Sequence, residues 1–361
     1  MAELLGVGIT HYPRLAGPDS SMSGTLKALL AQPGFPAQFT TPASWPVEMR
    51  DEWADDEGSA AARRHRAELV AGLRRVRRAI DDFEPDAIVV WGDDQYENFR
   101  EDALPAFAVL AYESVRTTWA SVKYGPNVWG APKEGEIFIA GHRPLAKAMT
   151  GGLIEEGFDV TYAYEPLHEP GLSHAFLNTV LYLDWDRKGF PYPIVPVAVN
   201  CYGRRVISQQ GLLPRFERGE ASHETDGGLG HLDPPSPSPR RCFDLGRATA
   251  RVLRSRPERI VVCASASWSH AFLTPKHHYL FPDTAADRRL FEALGSARYG
   301  AWEETTLTEV EESGQQEMLN WFCLVGAMAE LGLRPAWCEL VTTHLFNSNK
   351  AFAVFSTEAE S

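Results

Sequence analysis

Short apolar runs recur along this chain, and several of them stop abruptly at polar residues. The first, Leu4-Leu5-Gly6-Val7-Gly8-Ile9, leads into Thr10-His11-Tyr12-Pro13. Such a run is too brief for a helix and predicts a buried strand over residues 4–10. The same pattern predicts strands at 87–91, 136–140, near 158–164, at 193–200, 259–264 and 351–355. Between them the apolar spacing changes to the helical period. Residues 59–82 place Leu69, Leu73, Val76 and Ile80 on one face, with arginines on the others. Further helices are predicted over 143–156, from Leu172 onward, and over 242–256, 285–295 and 314–331. Strands alternating with helices predict an α/β fold, a single sheet-centred domain over residues 1–361 with helices on both faces. The rhythm breaks at about 203–240, a Gly/Pro/Ser-rich stretch ending in Pro234-Pro235-Ser236-Pro237-Ser238-Pro239 that predicts a long loop insertion.

Composition narrows the class. The 361 residues are 44% hydrophobic and 23% charged, as in ordinary globular proteins. A net charge of −13 argues against a nucleic-acid-binding surface. No run is long enough to cross a membrane, and no basic stretch precedes the first apolar run as in a signal peptide, so a cytoplasmic location is the default expectation. The five cysteines form no CxxC pair and no metal-ligand spacing, which fits reduced thiols.

The polar groups at the strand ends carry the candidate chemistry. Strand 4–10 delivers His11, and strand 87–91 delivers Asp93, Asp94 and Gln95. The 158–164 strand leads to His168 and His174, and strand 259–264 leads to Ser265-Ala266-Ser267-Trp268-Ser269-His270. Any one of these alone reads as a cap or turn residue. Together, at the edge where open α/β sheets place their ligand crevice, they predict a shared site. No Gly-rich phosphate loop, dinucleotide fingerprint or Gly-x-Ser-x-Gly elbow competes for that edge. Glu317 stands just before a nearly all-apolar stretch. It could serve the helix dipole, but a buried carboxylate needs a partner, and a metal is a good one. Imidazoles and carboxylates suit a divalent ion such as iron, zinc or manganese.

Five segments occur in a telling order: Gly8-Ile9-Thr10-His11-Tyr12-Pro13, Gly92-Asp93-Asp94-Gln95 before Phe99, Arg241-Cys242-Phe243-Asp244-Leu245-Gly246, Ser267-Trp268-Ser269-His270, and Glu312-Ser313-Gly314 with Glu317 and Trp321. Together they resemble the class III extradiol ring-cleavage dioxygenases, the superfamily of the protocatechuate 4,5-dioxygenase catalytic subunit. The resemblance implies a non-haem Fe(2+) held by two His and one Glu, with O2 and a catechol- or aminophenol-like ring as substrates. It matches His11 to the first iron ligand, Glu317 to the carboxylate ligand and His270 to the acid–base His, a role suited to imidazole. His174 is the preferred match for a pocket-lining His. It also implies a homo-oligomer, in some members with a small second subunit.

One position departs from the pattern. Gln95 stands where the family has its second His ligand. Three readings follow: Gln95 or Asp94 completes an altered iron site; another His, with His168 and His174 as candidates, fills the gap; or iron and ring cleavage have been lost. The last would make the chain a non-catalytic or regulatory subunit. A metal-dependent hydrolase using His11, Asp94 and Glu317 to activate water is a further alternative.

Overall fold

The computed structural model describes residues 3–166, 168, 171–205, 213–217, 220–221 and 233–356. Most of the predicted insertion, at 206–212, 218–219 and 222–232, lies outside the described residues. The strands are β1 (Leu4–Ile9), β2 (Ala87–Asp93), β3 (Phe107–Leu110), β4 (Ser114–Thr118), β5 (Glu136–Ala140), β6 (Thr161–Ala163), β7 (Ile194–Val199), β8 (Phe216–Glu217), β9 (Glu220–Ala221), β10 (Ile260–Ser265), β11 (Arg334–Val341) and β12 (Lys350–Ser356). Eight of them form the main sheet in the order β11-β12-β1-β10-β2-β7-β3-β6. Its centre, β1-β10-β2-β7, is parallel, with β12 antiparallel to β1 and β3 antiparallel to β7. The parallel strands therefore all finish at one edge, and His11, Asp93, Cys201 and Ser265 emerge there side by side.

Helices cover both faces, because the central strands are apolar on both sides. Ala87, Val89 and Trp91 of β2 face one core, shared with helices Pro239–Arg254 and Leu319–Leu331. Ile88 and Val90 point the opposite way, into a core with helices Ser59–Phe83 and His174–Leu183. This is the two-residue alternation of a strand read directly from the sequence. The predicted helix 59–82 is Ser59–Phe83, and its stripe of Leu69, Leu73, Val76 and Ile80 is fully buried.

Three sequence expectations change. The 136–140 strand forms, but it pairs with β4 in a separate two-stranded sheet. The helix expected from Leu172 begins at His174. The helix expected over 314–331 starts as a 3-10 turn, Gln316–Met318, and becomes α-helical at Leu319. That tight turn carries Glu317 into the interior beneath the parallel strand ends.

Candidate metal centre

His11 follows β1 and is buried. Its Nδ1 lies 3.0 Å from the Ser265 carbonyl at the end of β10. A carbonyl only accepts, so Nδ1 carries the proton and Nε2 keeps its lone pair. Burial, and then the nearby His174, hold the His11 pKa down at about 3, so the ring is neutral. Asp93 Oδ1 and Glu317 Oε2 each lie 3.5 Å from that Nε2. Both oxygens are buried and lack a hydrogen-bond donor among the described residues.

Such an arrangement is expensive without a cation. Burial raises the Glu317 pKa well above the usual carboxylate range, and the charge of Asp93 raises it further. Burial also raises Asp93, against the opposing pull of His174. Two desolvated carboxylates facing one imidazole lone pair suit a divalent ion, which would satisfy both orphaned oxygens at once. The surrounding groups hold the other oxygens. Tyr202 donates its hydroxyl to Glu317 Oε1 at 2.7 Å, and the Gln95 amide donates to Asp93 Oδ2 at 3.1 Å and Glu317 Oε1 at 3.2 Å.

Two more imidazoles complete the group. His174, at the first turn of its helix, packs edge-on against His11 with ring centroids 5.2 Å apart. Ligating atoms of His11, Asp93 and His174 all lie within 4.8 Å of one another. His174 Nδ1 is 2.9 Å from Glu97 Oε2, and Lys123 reaches Glu97 Oε1 at 2.6 Å. Burial pushes the Glu97 carboxyl up, but His174 and Lys123 outweigh it and hold the pKa at about 2. His270 directs Nδ1 to the Trp268 carbonyl at 2.8 Å and Nε2 towards Glu317 Oε1 at 3.2 Å. Burial first, then Lys350, lowers its pKa to about 3. Its backbone N–H bonds the Gly314 carbonyl at 2.7 Å. Gly314 has φ +70°, and a Cβ there would meet the His270 carbonyl at 2.4 Å, so glycine is what lets the two segments close.

These groups line one pocket of about 270 Å³, shared by Gln95, His174, Tyr202, His270 and Glu317. That is the small end of ligand cavities, which start at roughly 300 Å³, and suits a single ring.

The sequence-derived candidates thus divide. His11, Gln95, His174, His270 and Glu317 come together. Asp94 does not: its carboxylate accepts from the amides of Glu97, Asn98 and Phe99 at 2.9, 2.9 and 3.3 Å, forming the turn after β2. The carboxylate in the cluster belongs to Asp93, one residue earlier. His168 also stands apart, 2.7 Å from the carboxylate of Asp102 and partly exposed. His142 caps the helix Arg143–Glu155. Glu97 and Tyr202 are the groups sequence reasoning missed; Asp93 was placed at the shared edge with Asp94 and Gln95 but was not named as a ligand. Asp93 is the last residue of a strand buried along its whole length, two positions beyond the predicted strand end at residue 91.

Comparison with known proteins finds a family match and several relatives. Residues 232–354 match the family described as the catalytic LigB subunit of aromatic ring-opening dioxygenase. That span includes His270 and Glu317. A 2,3-dihydroxyphenylpropionate/2,3-dihydroxicinnamic acid 1,2-dioxygenase of a Rhodococcus species is 26% identical over 284 residues, covering 73% of this chain and 82% of that one. Its namesake from Paraburkholderia phymatum is 26% identical over 288 residues, covering 73% and 83%. The one from Photorhabdus laumondii is 20% identical over 264 residues, covering 70% and 68%. Among solved structures, an uncharacterized Escherichia coli K12 protein aligns with TM-score 0.43 and 14% identity over 79% of this chain and 91% of its own. Fold, site and relatives define a ring-cleaving dioxygenase of a metal-dependent class. These matches relate the chain to the class III extradiol dioxygenase superfamily. Among the described residues no helix is long and apolar enough to cross a membrane.

Proposed function

We propose that this protein is a non-haem Fe(II)-dependent extradiol-type dioxygenase that opens a catechol- or aminophenol-like ring, with residues 1–361 acting as one catalytic domain. The observation that carries the reading is the pair of buried, donor-free oxygens of Asp93 and Glu317 facing the His11 lone pair. His11, Asp93 and Glu317 would hold the ion, so that a carboxylate takes the place of the second His in the usual 2-His-1-carboxylate set. Bound Fe(II) supplies the redox chemistry that links the electron-rich ring to O2.

The remaining steps belong to the protein. The pocket admits one ring beside the cluster. His174, backed by Glu97, accepts the proton of a ring hydroxyl at Nε2, because the carboxylate behind it can balance the charge the ring acquires. His270 exchanges a proton at its own Nε2 later in the reaction. Tyr202 and Gln95 keep Glu317 and Asp93 oriented by donating to the oxygens that do not face His11.

Anaerobic loading with Fe(II), followed by O2-uptake measurements with catechol and 2-aminophenol derivatives, tests this reading. It predicts one O2 consumed per ring opened. A loaded protein that is inert on every such ring contradicts it.

A further inference from the structure

Arg14 has an unusual position for a cation in an acidic chain. It lies three residues after His11, on the turn Pro13–Ala16, so the two Cα atoms are no more than about 11 Å apart. Its guanidinium lines the same pocket as His174, His270 and Glu317, and it is the single Lys or Arg among the described lining residues. Nε donates to Thr25 Oγ1 at 2.7 Å and Nη1 to the Ser21 carbonyl at 3.0 Å. The Tyr124 ring covers one face at 4.1 Å. These contacts fix the guanidinium plane, yet Nη2 meets no acceptor among the described residues. Other arginines differ: Arg66 pairs with Asp19, Arg74 with Asp186 and Arg77 with Asp81. Arg14 makes no ion pair with any described acid.

A fixed, partly buried fork with unfilled donors on a pocket wall is built to receive a planar anion. We propose that Arg14 is a specificity-determining residue that receives a carboxylate carried by the substrate, either on its ring or on a short side chain. The proposal rests on the ring-opening reading of the site, since it names the substituent of that substrate. It gives the pocket two ends: an imidazole and carboxylate floor for the reacting part of the ring, and a cationic wall for its anionic tail. A plain catechol would leave Arg14 unfilled.

The test uses ligands that cannot react. Binding of 3-phenylpropionate and of 3-phenylpropanamide to the purified protein is measured by calorimetry without O2, for the wild type, Arg14→Met and Arg14→Lys. Neither ligand has ring hydroxyls, so the comparison does not depend on turnover. The acid should bind on the order of 10- to 100-fold more tightly than the amide, as expected for hydrogen bonds to a charged group. Arg14→Met should bring the two within about twofold of each other, and Arg14→Lys should keep part of the preference. Thermal unfolding checks that the variants fold; if Arg14→Met does not, a reduced preference in Arg14→Lys carries the test. Equal binding of acid and amide by the wild type, or an undiminished preference in the variants, overturns the proposal. A purely structural Arg14 would change both ligands alike. If O2 uptake fails while the acid–amide contrast holds, the dioxygenase reading falls and the anion site stands; the reverse pattern removes Arg14 alone.

Discussion

The two sides of the pocket hold their imidazoles differently. On the β1–β10 side, His11 and His270 each direct Nδ1 to a backbone carbonyl, at 3.0 and 2.8 Å. On the helix side, His174 directs Nδ1 to the carboxylate of Glu97 at 2.9 Å. A carbonyl fixes the tautomer and leaves the ring neutral, with a lone pair on Nε2 for a ligand or a proton. A carboxylate fixes the same tautomer but also balances a positive charge. The partner on the far nitrogen therefore assigns the work: lone-pair donation at His11, proton uptake at His174.

Removing His270, which exchanges a proton later in the reaction and lies beside Glu317 without belonging to the proposed ligand set, is the strongest way to break this comparison. His270→Ala should lower turnover by about 10²- to 10⁴-fold, the usual worth of acid–base catalysis, with the metal content of the protein unchanged. Steady-state O2 uptake and metal analysis on the same sample check it. Glu97→Gln should cost less, on the order of 10- to 100-fold in rate, because it keeps a hydrogen-bonding partner for His174 but removes the charge behind it. An equal rate in Glu97→Gln would mean that the carboxylate serves only to position the ring.

A fourth imidazole, outside the pocket, sharpens the contrast because one of its buried nitrogens has no partner among the described residues. His65 is buried on the helix Ser59–Phe83 with Nε2 unsatisfied, and burial with the nearby Lys350 keeps its pKa well below 6.5. Between that lowered value and 6.5 the unfolded chain binds a proton that the folded protein does not. Stability from this residue is thus intact above pH 6.5 and falls as the pH drops. His65→Leu removes the penalty. The variant should gain stability relative to the wild type as the pH falls from 7 to 5, read from denaturant unfolding at each pH. The smallest effect is expected at Tyr202, which donates to Glu317 but does not face the proposed ion. Tyr202→Phe should weaken metal binding by roughly tenfold, measured by competition with a chelator.

Much of this was legible in the sequence. Strands β1, β2, β7 and β10 announce themselves as apolar runs because they are buried on both faces, where alternation gives way to continuous hydrophobicity. The edge strand β11, Arg334-Pro335-Ala336-Trp337-Cys338-Glu339-Leu340-Val341, is only half-buried for most of its length and carries no such signal. β3, Phe107–Leu110, is too short to stand out. At the site, His11, Glu317 and His270 could be singled out because each follows or precedes a strongly apolar stretch. The choice between Asp93 and Asp94 was a matter of one residue. The strand runs one position further than its apolar residues, so Asp93 stays in the sheet, paired in register with Val199, while Asp94 opens the turn. Nothing in the local sequence marks where that ladder ends. The carboxylate behind His174 was hidden for a different reason: Glu97 and His174 are 77 positions apart, and only the fold brings them together.

That one-residue distinction is also where the account is most exposed. After anaerobic loading with Fe(II) and removal of free metal, bound iron is measured for the wild type, Asp93→Ala, Asp94→Ala and Glu317→Ala, with thermal unfolding recorded for each. The geometry predicts near-stoichiometric iron in the wild type and in folded Asp94→Ala, and its loss from Asp93→Ala and Glu317→Ala. Iron retained at full occupancy by Asp93→Ala, or lost from a well-folded Asp94→Ala, would contradict a centre built on His11, Asp93 and Glu317.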